Sequence, residues 1–184
     1  MKSVAIYCAS KLGNKEVYAQ QAKNLAQYLF SKNIDVVYGG AKVGIMGIVA
    51  EETMKLGGNV YGVMPQFLVD KEVANPNITN LVITQTMSER KYKMMELAEG
   101  FIALPGGFGT FEEIFEVLTL AQVKQLHKPI GFLNIDNYYT PLLTFLKGCV
   151  DTGLLAQEHF DIIHIHEDYE VLLDQMQEYY KEKV

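Results

Sequence analysis

The residues of this chain that could do chemistry sit in three glycine-rich turns and one basic helix start. The first turn is Pro105–Glu113, reading PGGFGTFEE. Glycines let the backbone come close to an anion. A helix opening near Gly109 or Thr110 would offer that anion free N–H groups and the positive end of its dipole. The Thr110 hydroxyl adds a donor. The spacing is not the dinucleotide GxGxxG, and no Lys follows as in a P-loop. The plainer reading is a tight turn with Thr110 as N-cap. Small residues clustered at a strand end and followed by acids favour the anion. Residues Gly39–Gly47, GGAKVGIMG, form a second turn, which alone fits close helix-on-sheet packing equally well. The third turn is Cys8–Gly13, CASKLG.

Met87–Lys91, MSERK, opens a helix with two adjacent cations. They point about 100° apart, so at most one faces a given ligand atom. Arg90 has the planar fork that suits a phosphate or a carboxylate. A solvated helix start paired with Glu89 is the competing reading, although a cation at a helix N-terminus is unfavourable and asks for a reason. Glu112 and Glu113 fall in the first turn of the helix after PGGFGT, where acids are common for dipole reasons alone. A carboxylate beside a phosphate site is repulsive unless it has chemistry to do or a cation next to it, and Arg90 is a candidate for that cation.

The elements that must position these residues follow from the hydrophobic pattern. Strands are expected at 4–8, 35–38, 59–64, 81–84, 101–104, 130–134 and 162–165. Helices are expected at 14–31, 44–56, 87–98, 109–124, 139–152 and 169–180, with 66–80 as a long loop. Strands alternating with helices mean right-handed βαβ units and a parallel sheet. Strands apolar on both faces mean helices on both faces. The expectation is α/β: a single Rossmann-like domain over residues 1–184. In such sheets ligands bind beyond the C-terminal strand ends, and all three glycine-rich turns follow strands.

Composition narrows the function classes. Hydrophobic residues are 49% and charged residues 21%, as in an ordinary globular domain. Net charge is −6 and no basic stripe appears, which argues against a nucleic-acid surface. No apolar run approaches the ~20 residues that span a bilayer, so no membrane partner is expected. The opening MKSVAIYCAS reads as a strand and not a signal peptide. Cys8 and Cys149 are read as buried free thiols of a reducing cytoplasm. His164 and His166 share a strand face without a third ligand, so no metal site is expected.

Taken together the motifs resemble the LOG ("Lonely guy") family of cytokinin riboside 5′-monophosphate phosphoribohydrolases, often mislabelled lysine decarboxylases. PGGFGTFEE is similar to that family's PGGxGTxxE, and MSERK to its Met-x-x-Arg-Lys. GGAKVGIMG resembles GGGxxGLMG with Ala41 for the third Gly. CASKLG resembles CGSSxG with Ala9 and Lys11 in place of Gly and Ser. The resemblance runs nearly end to end. It implies hydrolysis of the N-glycosidic bond of AMP or N6-prenylated AMP to free base and ribose 5-phosphate, without metal or cofactor. It makes Arg90 and Glu113 the catalytic pair. It puts Lys91, Gly107, Gly109 and Thr110 on the nucleotide, with Ser10, Gly40, Glu72, Met87, Phe108, Glu112 and Thr119 as further substrate-binding positions. Met46 and Met94 join Met87 and Phe108 as candidates for the wall around an N6 group. The family's dimeric habit suits Thr119, which lies nine residues beyond Thr110. That is roughly 13 Å along a helix, far for one ligand to span within one chain. The rivals are a non-catalytic nucleotide carrier on the same fold, a pyridoxal-phosphate decarboxylase and a dinucleotide oxidoreductase.

Overall fold

Seven short strands, largely apolar apart from the His164 and His166 face of β7, pair edge to edge in one parallel sheet, in the order β4-β3-β2-β1-β5-β6-β7. The computed structural model describes residues 1–71 and 73–183. The strands are β1 (Ser3–Tyr7), β2 (Asp35–Tyr38), β3 (Val60–Pro65), β4 (Asn80–Thr84), β5 (Phe101–Ala103), β6 (Ile130–Leu133) and β7 (Ile163–His166). The helices are α1 (Glu16–Ser31), α2 (Gly44–Leu56), α3 (Gln66–Val69), α4 (Met87–Leu97), α5 (Phe108–Gln122), α6 (Thr140–Asp151), α7 (Gln157–Phe160) and α8 (Tyr169–Lys183).

The sheet is covered on both faces, as its central strands, apolar on both sides, require. On one face α1, α2 and α8 bury Leu25, Leu29, Val49 and Leu172 against Val4, Ile6 and Val36. On the other, α4 and α5 bury Met94, Ile114 and Val117 against Ala5, Val37 and Phe101. The α1 stripe of Tyr18, Ala22, Leu25, Ala26 and Leu29 follows the helical period directly.

The strand order decides where a ligand can sit. The chain winds outward from β1 to β4, then returns to pair β5 on the other side of β1. The loops after β1 and β5 therefore leave the sheet on opposite faces, and a crevice opens between them. PGGFGT follows β5 and CASKLG follows β1.

The expected elements all form, with ends differing by a few residues. Part of the loop expected at 66–80 is ordered: Gln66–Val69 is a short helix, and Ala74 bridges Ala41. Cys149 is half-buried, because α6 buries none of its residues fully, whereas Cys8 is buried as expected; both thiols are free. No helix among the described residues is long and apolar enough to cross a membrane.

Candidate active site

A cavity of about 480 Å³ lies at the β1/β5 crevice. Its walls come from Cys8–Gly13 after β1, from Ile45 and Met46 at the start of α2, from Pro105–Thr110 after β5, and from Arg90, Glu113, Tyr18 and Tyr138. The turns are joined by backbone hydrogen bonds. Ala9 N–H donates to the Pro105 carbonyl and Met46 N–H to the Ala9 carbonyl, both at 3.3 Å. Gly44 must be glycine here: its φ is +63°, and a Cβ would stand 2.2 Å from the Ser10 carbonyl carbon.

Arg90 and Glu113 meet inside this cavity. Arg90 Nη1 donates to Glu113 Oε1 at 2.5 Å, and Arg90 Nε donates to the Val63 carbonyl at 3.0 Å. Each residue is only 7% exposed. Burial pushes the Glu113 carboxyl up. Arg90 opposes the rise by charge and hydrogen bond, Glu112 adds to it and Lys91 opposes it, and the net direction is up. A carboxylate so placed is a stronger base than a solvated one and stays close to a cation that holds it ionised. Cys8 also lines the cavity, where burial, and next Glu113, push its thiol up and disfavour the thiolate.

The helix behind Arg90 begins where a local signal sets it. Thr86 accepts from Glu89 N–H at 3.1 Å, and the Glu89 carboxylate accepts from Gln85 N–H at 2.8 Å. Glu89 thus caps α4 instead of pairing with the neighbouring cations, a signal legible in T-x-x-E. On the far side of the cavity, Gly107–Thr110 start α5. Gly107, Phe108 and Gly109 are exposed there, while Thr110 is buried with its hydroxyl folded back over Gly106.

Of the residues singled out in the sequence, Ser10, Arg90, Gly107, Phe108, Gly109, Thr110 and Glu113 line the one cavity. Gly40, Met87, Lys91, Glu112 and Thr119 do not. Gly40 is buried beneath Met64 and Leu81, its carbonyl taken by Asn75 N–H. Lys91 Nζ is held by Glu112 and, at 3.0 Å, by Glu116. Thr119 is exposed on α5 and donates to the Phe115 carbonyl. Met87 is exposed at the start of α4. Glu72 lies outside the described residues. Met46 lines the cavity and Met94 is in the core. Sequence reasoning missed Tyr138, whose hydroxyl donates to the Gly106 carbonyl at 2.5 Å, and Tyr139, which donates to the Leu104 carbonyl at 2.6 Å. Between them they tie the PGG turn to the β6–α6 connection. No local pattern marks two tyrosines in a loop as anchors for a turn 32 and 35 residues away.

Residues 46–176 match the family model described as "Possible lysine decarboxylase". The chain is 39% identical over 178 residues to the cytokinin riboside 5′-monophosphate phosphoribohydrolase LOG2 of Arabidopsis thaliana, covering 97% of this chain and 84% of the relative. The chain belongs to this family. Its similarity to LOG5 of the same plant is 41% over 160 residues, covering 86% and 70%. With the LOG protein of Oryza sativa subsp. japonica it is 40% over 162 residues, covering 88% and 67%. Among solved structures, the molybdenum cofactor carrier protein of Chlamydomonas reinhardtii superposes with a TM-score of 0.72 at 16% identity, over 97% of this chain and 98% of that one. The molybdenum cofactor binding protein of Rippkaea orientalis gives 0.69 at 17%, over 96% and 94%. At those identities the family member shares a fold with these carriers and nothing finer.

Proposed function

We propose that this protein hydrolyses the N-glycosidic bond of a nucleoside 5′-monophosphate, AMP or its N6-prenylated form, releasing free base and ribose 5-phosphate. The observation that carries the reading is the buried Arg90–Glu113 pair in the cavity that the PGGFGT turn opens onto. The relatives' names point the same way. The 5′-phosphate sits at Gly107, Gly109 and Thr110, where the first N–H groups of α5 lack helical partners. Binding energy at the phosphate then holds C1′ against Glu113. As the C1′–N9 bond breaks, positive charge develops on the ribose, and the Glu113 carboxylate stabilises it. The carboxylate takes a proton from the attacking water, whose oxygen bonds to C1′, and the base leaves with the bonding pair and gains a proton. Ser10 and Phe108 complete the walls. Lys91 and Glu112 act beside the cavity, bracing α4 against α5.

A Schiff-base decarboxylation would need a lysine desolvated in the cavity. Among the described residues the lining contains only Lys11, which is exposed. A carrier on the same fold would bind AMP without turnover, and has no use for a buried carboxylate at the reacting end of the site.

The protein acts in the cytoplasm as a homodimer. Free thiols agree with a reducing compartment. Helix α6 buries none of its residues fully, and Tyr92, Val123, Phe145 and Leu154 stand 70, 54, 67 and 85% exposed on the α4–α6 side. Apolar surface of this kind is what a second copy covers. Sedimentation at micromolar concentration should show the dimer, and a monomer alone would remove that part of the reading.

The activity is tested by incubation with AMP and with isopentenyladenosine monophosphate, following free base by chromatography. Glu113→Gln should lower turnover by roughly 10²–10⁴-fold while nucleotide still binds. Full activity in that variant would overturn the mechanism.

A further inference from the structure

The Arg90 guanidinium occupies a slot whose third side is a missing side chain. Gly39 directly follows β2 and is buried. A Cβ built there would stand 2.4 Å from Arg90 Nη2 and 3.0 Å from Met46 Sδ. Its neighbour Gly40 has a φ of +81°, which favours glycine on backbone grounds. Gly39 is not among the positive-φ residues, so what that position demands is space. The guanidinium cannot simply slide away, since Nε is bonded to the Val63 carbonyl and Nη1 to Glu113.

We propose that Gly39 is a positioning residue for the reaction: its lack of a side chain is what lets the Arg90 guanidinium lie between Val63 and Glu113. This rests on the reading of Arg90 and Glu113 as the catalytic pair. A methyl group at this position meets the far end of a flexible side chain, so the displacement falls on Arg90 before it falls on β2. Once displaced, Arg90 no longer offsets the burial of Glu113. The other groups around that carboxyl are Lys91 on α4, Glu112 on α5, Tyr7 on β1 and Cys8 just after it. Among them Arg90 is the main counterweight to burial. Its withdrawal moves the carboxyl further up.

The test is a cycle of Gly39→Ala, Arg90→Lys and the double variant, with kcat, KM and the pH profile of AMP hydrolysis. In the Arg90 background, Gly39→Ala should lower kcat on the order of 100-fold, the cost of about 1 Å of misplacement. It should also move the acid limb of the profile to higher pH. A lysine lacks the Nη2 branch, and its ammonium stands near the guanidinium carbon, 3.6 Å from the new Cβ. In the Arg90→Lys background, Gly39→Ala should therefore cost less than about twofold. Equal losses in both backgrounds, or an unmoved pH profile, would overturn the proposal. If Gly39→Ala alone fails to fold, a folded double variant supports it, and an unfolded double variant overturns it by showing that β2 itself needs the glycine. Glu113→Gln is measured alongside. Full turnover there overturns the catalytic reading and this proposal with it; an inactive Glu113→Gln with an additive cycle overturns this proposal alone.

Discussion

Two ion pairs stand one residue apart on the same two helices and live in different media. Arg90 and Glu113 face inward from α4 and α5, their side chains 9 and 8% exposed. Lys91, its side chain 12% exposed, reaches out to Glu112 and Glu116, whose side chains are 52 and 37% exposed. The sequence shows RK on one helix and EE on the other, and residue type does not say which glutamate meets which cation. The separation comes from the ~100° between adjacent helical positions, which sends one pair under the sheet edge and the other towards solvent. In the buried pair, loss of solvent raises the carboxyl and makes its hydrogen-bonded cation the main counterweight. At the surface pair, burial alone would lower the Lys91 ammonium, yet its hydrogen bonds to Glu112 and Glu116 outweigh that and the net direction is up. The first arrangement suits chemistry and the second suits bracing.

Substitutions can break this contrast, and the largest effect is expected at the buried pair. Arg90→Ala leaves Glu113 buried without its counter-charge, and should cost about 3–5 kcal/mol of stability in denaturant unfolding together with nearly all turnover. A cost below about 1 kcal/mol would mean that the pair is solvated after all. The next effect is on pH. On the proposed mechanism turnover requires the Glu113 carboxylate, so it is full above that group's pKa and lost as pH falls through it. Because the net shift is upward, the acid limb of kcat/KM should lie above the ordinary glutamate value of ~4.3. A limb at or below that value contradicts the assigned direction. The smallest effect is expected outside. Lys91→Met should change stability by no more than about 1 kcal/mol and leave kcat within about twofold. A loss like that of Arg90→Ala would show that Lys91 leaves its carboxylates for the substrate. Raising salt from 0.05 to ~0.5 M should weaken the Lys91 contacts and leave Arg90–Glu113 intact, seen as wild-type turnover that hardly changes.

How legible the site was varied with the kind of interaction. PGGFGT, GGAKVG and CASKLG could be placed at one sheet edge from the strand–helix alternation alone, and the loops that carry them do line or border one cavity. Thr86 and Glu89 set the start of α4 through local hydrogen bonds, a T-x-x-E spacing present in the sequence, although Glu89 reads there as a partner for the cations. The Tyr138 and Tyr139 anchors join segments distant in the chain and leave no local pattern. The same is true of the Ala74–Ala41 bridge, which orders part of a segment that reads as loop.

The amino-acid order by itself determined the alternating elements, the parallel sheet between helical layers, and the turns suited to an anion. These follow from hydrophobic period and glycine placement, which act over a few residues. The family resemblance named Arg90 and Glu113 as a pair, and only the tertiary structure decided that they meet in the cavity while Lys91 and Glu112 pair beside it. It also decided that Gly39 is glycine for the sake of a side chain on another element. Burial and approach depend on which strands become neighbours, and β1 beside β5 brings together groups from opposite halves of the chain.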